Sequence, residues 1–172
     1  MGQCVDCNSK VNNQTPQLDC GICNEKICKP CAHFMDEENF LFMDPLPKEL
    51  SHGVYCHDCF ITHVQSRLAD YENQLALAKE VFIFNRGEGK ETRLIKRTEA
   101  PLSIQPCRDR NEAILRLAFQ AAGKHFNALV DVDIRAEKVR DGTYQTTVYH
   151  AKGIPAQVDS EKHNRDKHFK LK

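Results

Sequence analysis

Apolar side chains recur at helical spacing in FITHVQSRLADYENQLALAKE, residues 60–80. Ile61, Val64, Leu68, Tyr71, Leu75 and Ala78 stand three and four residues apart in alternation, on one stripe of an α-helix. Such a stripe is also a coiled-coil seam, but it lasts less than three heptads, short of the three to four a seam needs. The helix is therefore expected to pack on one of the domains beside it rather than to pair with a second copy.

Beyond it the period changes. VFIF (81–84) reads as a strand, Asn85–Gly89 as a turn and 90–97 as the return strand. A loop with Pro101 and Pro106 follows. Asp109 has the place of a helix N-cap, with Glu112 completing a capping box. Ile114, Leu115, Ala118, Phe119, Ala121 and Ala122 then form a broad apolar face, and Gly123 stands where a C′ glycine ends a helix. Ala128, Val130, Val132 and Ile134 alternate with Asn127, Asp131, Asp133 and Arg135, which predicts a half-buried strand. Asp141–Gly142 is a hairpin turn, and 143–151 its partner strand. The expectation for 81–158 is an α+β domain: a small antiparallel sheet packed by one long helix. The polar stretch 159–172 reads as a disordered tail able to touch an acidic partner.

Composition divides the chain at the same place. It has 172 residues, with 24 basic and 24 acidic side chains. Residues 1–63 carry nine acids against four bases (Lys10, Lys26, Lys29, Lys48), net −5, so the remainder is net +5. Eight of the nine cysteines lie in 1–59, and Cys107 stands apart. No stretch approaches the ~18–20 apolar residues of a membrane span, and MGQCVDCN lacks the charged and apolar regions of a signal peptide. Gly2 fits a myristoylation start, but Asp6 stands where Ser or Thr is required. The expected location is the cytoplasm, where thiols stay reduced and paired cysteines point to metal before disulfide.

The cysteines form four CxxC pairs: Cys4/Cys7, Cys20/Cys23, Cys28/Cys31 and Cys56/Cys59. One CxxC offers two sulfurs to one ion, and two pairs close a tetrahedral shell, so eight thiols predict two Zn2+. Iron–sulfur clusters also take thiolates, but four evenly built pairs suit two separate tetrahedra better. Spacing leaves the pairing open among three schemes: sequential, interleaved, or 20/23 closed with 28/31 through the turn between them. The four nearby histidines, His33, His52, His57 and His63, read as surface or supporting residues, since eight thiols already suffice. In the 24-residue insert between Cys31 and Cys56, Phe34, Phe40, Leu41, Phe42 and Met43 read as a small core over the metal frame.

CVDC, CGIC, NEKI, CKPC and VYCHDCF together resemble the FYVE zinc-finger frame over about residues 4–63. The resemblance implies a cross-brace: one zinc on Cys4, Cys7, Cys28 and Cys31, the other on Cys20, Cys23, Cys56 and Cys59. PHD fingers carry His where Cys28 stands. RING fingers usually space their middle ligands differently, though an all-cysteine RING variant shares the ligand type. The lipid-reading residues of FYVE domains are missing. QTPQLDC (14–20) has no Arg, Lys or His, no tryptophan motif precedes Cys4, and Val54–Tyr55 replaces the arginine before Cys56. Eight thiolates holding two zinc ions add about −4 to the acidic segment. Nucleic acid and phosphoinositide membranes both need basic side chains, so neither is an expected partner.

AFQAAGKHFNALVDVDI, followed by a hairpin and HAKGIPA, resembles the small bacterial YbjQ-type family named for heavy-metal binding, over about 80–158. That resemblance implies a ring-forming assembly domain of undefined activity. Asp131 and Asp133, two apart on one strand face, read as solvated rather than as a cation site. Cys107 reads as a loop thiol and His125 as a helix-end residue.

The expected organisation is a FYVE-like zinc domain (1–63), a connecting helix (64–80), an α+β domain (81–158) and a polar tail (159–172). The expected function is a non-catalytic zinc-binding protein, its finger a protein–protein interaction module joined to an assembly domain that self-associates through 61–78 or 81–158. The alternatives are a RING-like ubiquitin ligase module and a metal-sensing or metal-handling protein. No nucleophile–base pair, phosphate loop or carboxylate dyad suggests catalysis, and no catalytic residue is assigned.

Overall fold

The fold is described for residues 2–11, 17–87 and 92–159 of a computed structural model. The chain is mixed α+β and divides into two compact units, Met1–Glu72 and Asn73–Lys172. The polar stretch 160–172 lies outside the described residues, as do residues 12–16 and 88–91.

The first unit is built from three short antiparallel ribbons. β1 (Gly2–Gln3) pairs with β2 (Lys10–Val11), β3 (Gln17–Asp19) with β4 (Lys26–Cys28), and β5 (His33–Phe34) with β6 (Val54–Tyr55). Strands of two or three residues bury little by themselves. The core is accordingly sulfur-centred: Cys4, Cys20, Ile27 and Cys56 pack together, all buried. A helical segment follows as α1 (His57–Cys59), a π-helical turn (Phe60–Val64) and α2 (Gln65–Lys79). The expected stripe holds at Val64 and Tyr71, both buried, and fails at Ile61, which is 46% exposed. The π turn widens the coil locally and rotates Ile61 off the phase that a pure 3.6-residue period assigns it. The insert is likewise divided. Phe40 is buried edge-to-face against Tyr71 with ring centres 5.4 Å apart, whereas Phe34 is 54% exposed and Leu41 is also exposed.

The second unit holds the last turns of α2, then β7 (Phe82–Asn85), β8 (Leu102–Ser103), α3 (Arg110–Gly123), β9 (Ala128–Asp141) and β10 (Tyr144–Ala156). Sheet order is β7–β9–β10–β8. β9 and β10 form the expected hairpin, but β7 runs parallel to β9, so the sheet is mixed rather than antiparallel. The return strand expected at 90–97 is absent over its described part, 92–97, where the chain turns instead. The Arg97 guanidinium donates to the carbonyls of Thr92 and Ile95, both at 3.1 Å, satisfying groups that a strand would have paired.

α3 starts as expected: Asp109 accepts the Glu112 N–H at 2.8 Å. Its end differs. Gly123 is the last helical residue, and the left-handed turn falls on His125 (φ 64). Within β9 the alternation also breaks. Register slips so that Asp131 and Val132 stand opposite Gly153 alone, a β-bulge with Asp131 at φ 53. Ala128 and Val130 face a cluster with Phe84, Ile95, Ala156 and Val158. Leu129 is fully buried too, so the strand start is covered on both faces rather than one. Past the bulge Val132 shares a face with Leu129. A Cβ at Gly153 would meet Val132 at 3.1 Å and Leu117 of α3 at 3.2 Å, so glycine permits this close approach of strand and helix.

Candidate metal centres

Each cysteine pair is presented by a different piece of local structure. Cys4/Cys7 and Cys20/Cys23 are closed by matching turns. The Asn8 N–H donates to the Cys4 carbonyl and the Asn24 N–H to the Cys20 carbonyl, both at 2.9 Å. The two asparagines hold φ 58 and 60, in the left-handed region that Asn tolerates better than most residues. The repeated CxxCN in CVDCN and CGICN announces this turn, and the sequence reading passed over both asparagines. Cys28/Cys31 lie in a turn closed by the Cys31 N–H on the Cys28 carbonyl at 3.0 Å. Cys56 is the N-cap of α1, its Sγ accepting the Cys59 N–H at 3.5 Å.

Two quartets result: Cys4, Cys7, Cys28 and Cys31, and Cys20, Cys23, Cys56 and Cys59. In each, all four sulfurs lie within 4.8 Å of one another. Of the three pairings that spacing leaves open, the interleaved one is the one brought together. β3 and β4 explain why. Cys20 and Cys23 sit at the tip of that hairpin, while Cys28 at the end of β4 pairs with Gln17 at its open end. The short turn therefore separates the two CxxC pairs to opposite ends of a ribbon. The Val5 N–H on the Lys26 carbonyl and the Gly21 N–H on the Val54 carbonyl, each at 2.9 Å, then carry each knuckle to its distant partner. Gly21 has a second reason to be glycine. A Cβ there would overlap Cβ and Cγ of His52 and stand 2.8 Å from its Nδ1.

Sulfur spacing tests what such a quartet holds. A disulfide needs about 2.05 Å between sulfurs. Two thiolates on one tetrahedral ion with ~2.3 Å bonds stand about 3.8 Å apart. Cys7 and Cys28 are 3.7 Å apart across the first quartet, Cys23 and Cys56 3.8 Å across the second. The donor set and its geometry fit a tetrahedral S4 ion in each.

Protonation within the quartets is uneven. The Ser9 hydroxyl and backbone N–H hold the Cys7 thiol down at about 6. Burial opposes ionisation of Cys20, but the N–H groups of Cys23, Cys56 and Ile22 outweigh it and hold that thiol at about 6 as well. Cys31 is pushed up by its sulfur neighbours Cys28 and Cys7, and Cys59 by burial and then by Cys56, Cys20 and Cys23. Four sulfurs cannot share so small a space as four anions alone. A divalent cation lifts that restriction.

The other candidates resolve differently. His52 packs edge-on against Tyr55, whose hydroxyl accepts the His52 N–H at 3.1 Å, and His63 is exposed. Asp131 and Asp133 are matched by guanidinium groups: Asp131 by Arg97 at 2.6 Å, Asp133 by Arg135 at 2.9 Å. Cys107 is no loose loop thiol. It is buried, exchanges both backbone hydrogen bonds with Tyr149 and donates its S–H to the Gln105 carbonyl at 3.3 Å. Among the described residues no helix is long and apolar enough to cross a membrane.

No protein-family model matches the chain, and no curated protein and no solved structure matches it.

Proposed function

We propose that residues 4–63 are a FYVE-like cross-brace finger binding two structural Zn2+, and that this finger is a non-catalytic protein-interaction module joined to an α+β assembly domain of YbjQ type. The observation that carries the zinc reading is the interleaved pair of cysteine quartets at tetrahedral sulfur spacing. Four thiolates fill the shell of each ion. No position is left for a water or a substrate, so zinc here supplies folding free energy rather than Lewis-acid chemistry. Thiolate-held zinc also suits a reducing compartment such as the cytoplasm.

Two features favour a protein over a lipid or nucleic-acid partner. β3 carries Gln17, Leu18 and Asp19 where a phosphate reader would need basic side chains, and Lys26, across the ribbon on β4, is spent on Asp19 at 2.5 Å. Phe34 and Leu41 stand exposed on the acidic unit, a combination that protein partners cover and phosphates do not.

Elemental analysis combined with native mass spectrometry of the full chain tests the reading. Two zinc ions per chain are expected. Iron, or a chain that folds with fewer than two ions, would overturn it. A ubiquitination assay with the zinc-loaded chain is expected to yield no conjugate, and conjugates dependent on the cysteines would establish the ligase reading instead.

A further inference from the structure

β9 and β10 outrun the sheet they belong to. β7 pairs with β9 only as far as Val132, and β8 pairs with β10 only at Lys152 and Gly153. One further bridge, Cys107 to Tyr149, ends the pairing along the outer side of β10. From there the hairpin continues as a bare two-stranded ribbon to Asp141 and Tyr144. Every side chain from Arg135 to Arg140 and from Thr143 to Thr147 is exposed. Both faces of the ribbon and, among the described residues, both of its edges therefore meet solvent. A two-stranded ribbon is at best marginally stable alone in water. An open edge is also a template for another strand.

The two edges are not alike. β9 carries Arg135, Glu137, Lys138 and Arg140, charges of the kind that discourage edge pairing. β10 carries Tyr144, Gln145, Thr146, Thr147 and Val148, with no charge and no proline among them. Backbone groups point to alternate sides along a strand. Tyr149 exchanges both backbone hydrogen bonds with Cys107, and the Ala151 carbonyl accepts the Ile104 N–H. The odd-numbered residues here thus face the outer edge, which leaves the N–H and C=O of Gln145 and Thr147 without a strand partner among the described residues. Side chains divide by face. Tyr144, Thr146 and Val148 share one face with Val139, which stands opposite Thr146. Glu137 on that face is taken by His150 at 2.9 Å.

We propose that this edge of β10 pairs antiparallel with the same edge of a second copy, on a two-fold axis through Thr146. The segment is complementary to itself in that register. Gln145 of each copy stands opposite Thr147 of the other, and each such pair exchanges both backbone hydrogen bonds. Tyr144 meets Val148 of the second copy, an aromatic–β-branched pair, and Thr146 meets Thr146; both kinds of pair are favourable across strands. Tyr144, 79% exposed in the single chain, and Val139, 40% exposed, then join one apolar band with their counterparts. Pairing stops where Cys107 already holds Tyr149. The contact uses the same patch on both copies, so it closes at two. The inference rests on the reading of the second unit as an assembly domain and gives that reading a surface.

Sedimentation equilibrium and amide hydrogen exchange on the full, zinc-loaded chain test it. A concentration-dependent dimer is expected. In the dimer the Gln145 and Thr147 amides exchange about tenfold or more slowly than in the dissociated chain, while the outward Lys138 and Arg140 amides of the β9 edge do not slow. Thr147→Pro removes an outward N–H and leaves the β9–β10 ladder whole. Thr146→Lys sets two ammonium groups face to face on the axis. Each variant is expected to weaken the dimer about tenfold or more. A dimer with unslowed Gln145 and Thr147 amides, a larger assembly that also protects Lys138, or a dimer untouched by both variants would overturn the edge and leave assembly through another surface standing. A monomer at every concentration would overturn the edge and the assembly reading together. Exchange in the wild-type chain decides between these outcomes however the variants fold.

Discussion

Replacing Gly21 by alanine probes the second centre more sharply than removing a ligand does, because it leaves all eight thiols in place. The new methyl carbon would occupy space held by Cβ and Cγ of His52. His52 cannot swing aside cheaply, since the overlapped Cβ is fixed to the backbone. That backbone is tied in turn: the His52 N–H binds the Tyr55 hydroxyl at 3.1 Å, which donates to the Glu49 carbonyl at 2.9 Å. Relief must come from moving the Cys20 knuckle or the segment that delivers Cys56. Overpacking of this kind costs about 1–3 kcal/mol. At about 1.4 kcal/mol per tenfold, the second zinc should bind roughly 5- to 150-fold more weakly. Gly53→Ala is the control, since a Cβ there meets only the Met35 carbonyl at an ordinary 3.7 Å. Competition against a chromophoric chelator gives two zinc affinities for each protein. One of the two should fall in Gly21→Ala, and both should stay put in Gly53→Ala. His52→Gly should restore it in the double variant and His52→Ala should not, because alanine keeps the offending Cβ. Unchanged zinc affinity in Gly21→Ala, or rescue by His52→Ala, would refute the steric account.

Three further outcomes follow from the same contacts. Stripping zinc with a strong chelator should collapse the amide signals of Met1–Glu72, whose core is built around the buried ligands Cys4, Cys20 and Cys56, while those of α3, β9 and β10 persist; joint collapse would contradict two separately compact units. Arg97→Ala leaves the Ile95 carbonyl and the Asp131 carboxylate without the guanidinium that binds them and should cost about 1–3 kcal/mol in urea unfolding. The Arg97 hydrogen bond holds the Asp131 carboxyl below the usual range. The stability this confers is present above the unfolded carboxyl value of about 3.9 and lost as pH falls through the lower folded value, so Arg97→Ala should flatten the acid limb of the wild-type profile, and a parallel limb would count against the pair. Asp109→Ala removes the N-cap of α3 and should cost about 1 kcal/mol by the same assay, whereas Asp109→Asn should cost only a few tenths.

Much of the second unit was legible because its signals are local. A cap side chain reaches only three residues along the chain, and Asp109 with Glu112 announces α3 wherever the helix packs. Asp141–Gly142 likewise closes its hairpin by turn geometry alone. What periodicity missed were positions where an extra residue shifts the phase. The π turn at Phe60–Val64 turns Ile61 outward, and the bulge at Asp131–Val132 changes which residues of β9 share a face. The expected return strand failed for another reason. Nothing near 92–97 in sequence reveals that Arg97 will satisfy the carbonyls there and pair with Asp131, 34 residues on.

The metal centres divide along the same line. Four CxxC pairs are a statement about chemistry: thiol count and local spacing alone call for two tetrahedral ions, because two sulfurs three residues apart reach one ion without help from the rest of the chain. Which pair meets which is a long-range question. It was settled by a hairpin that carries Cys20/Cys23 and Cys28/Cys31 to opposite ends, and by backbone bonds from Val5 to Lys26 and from Gly21 to Val54. The meeting of His33 with His57, 24 residues apart, belongs wholly to that second kind, since only folding places an imidazole from β5 against one from α1.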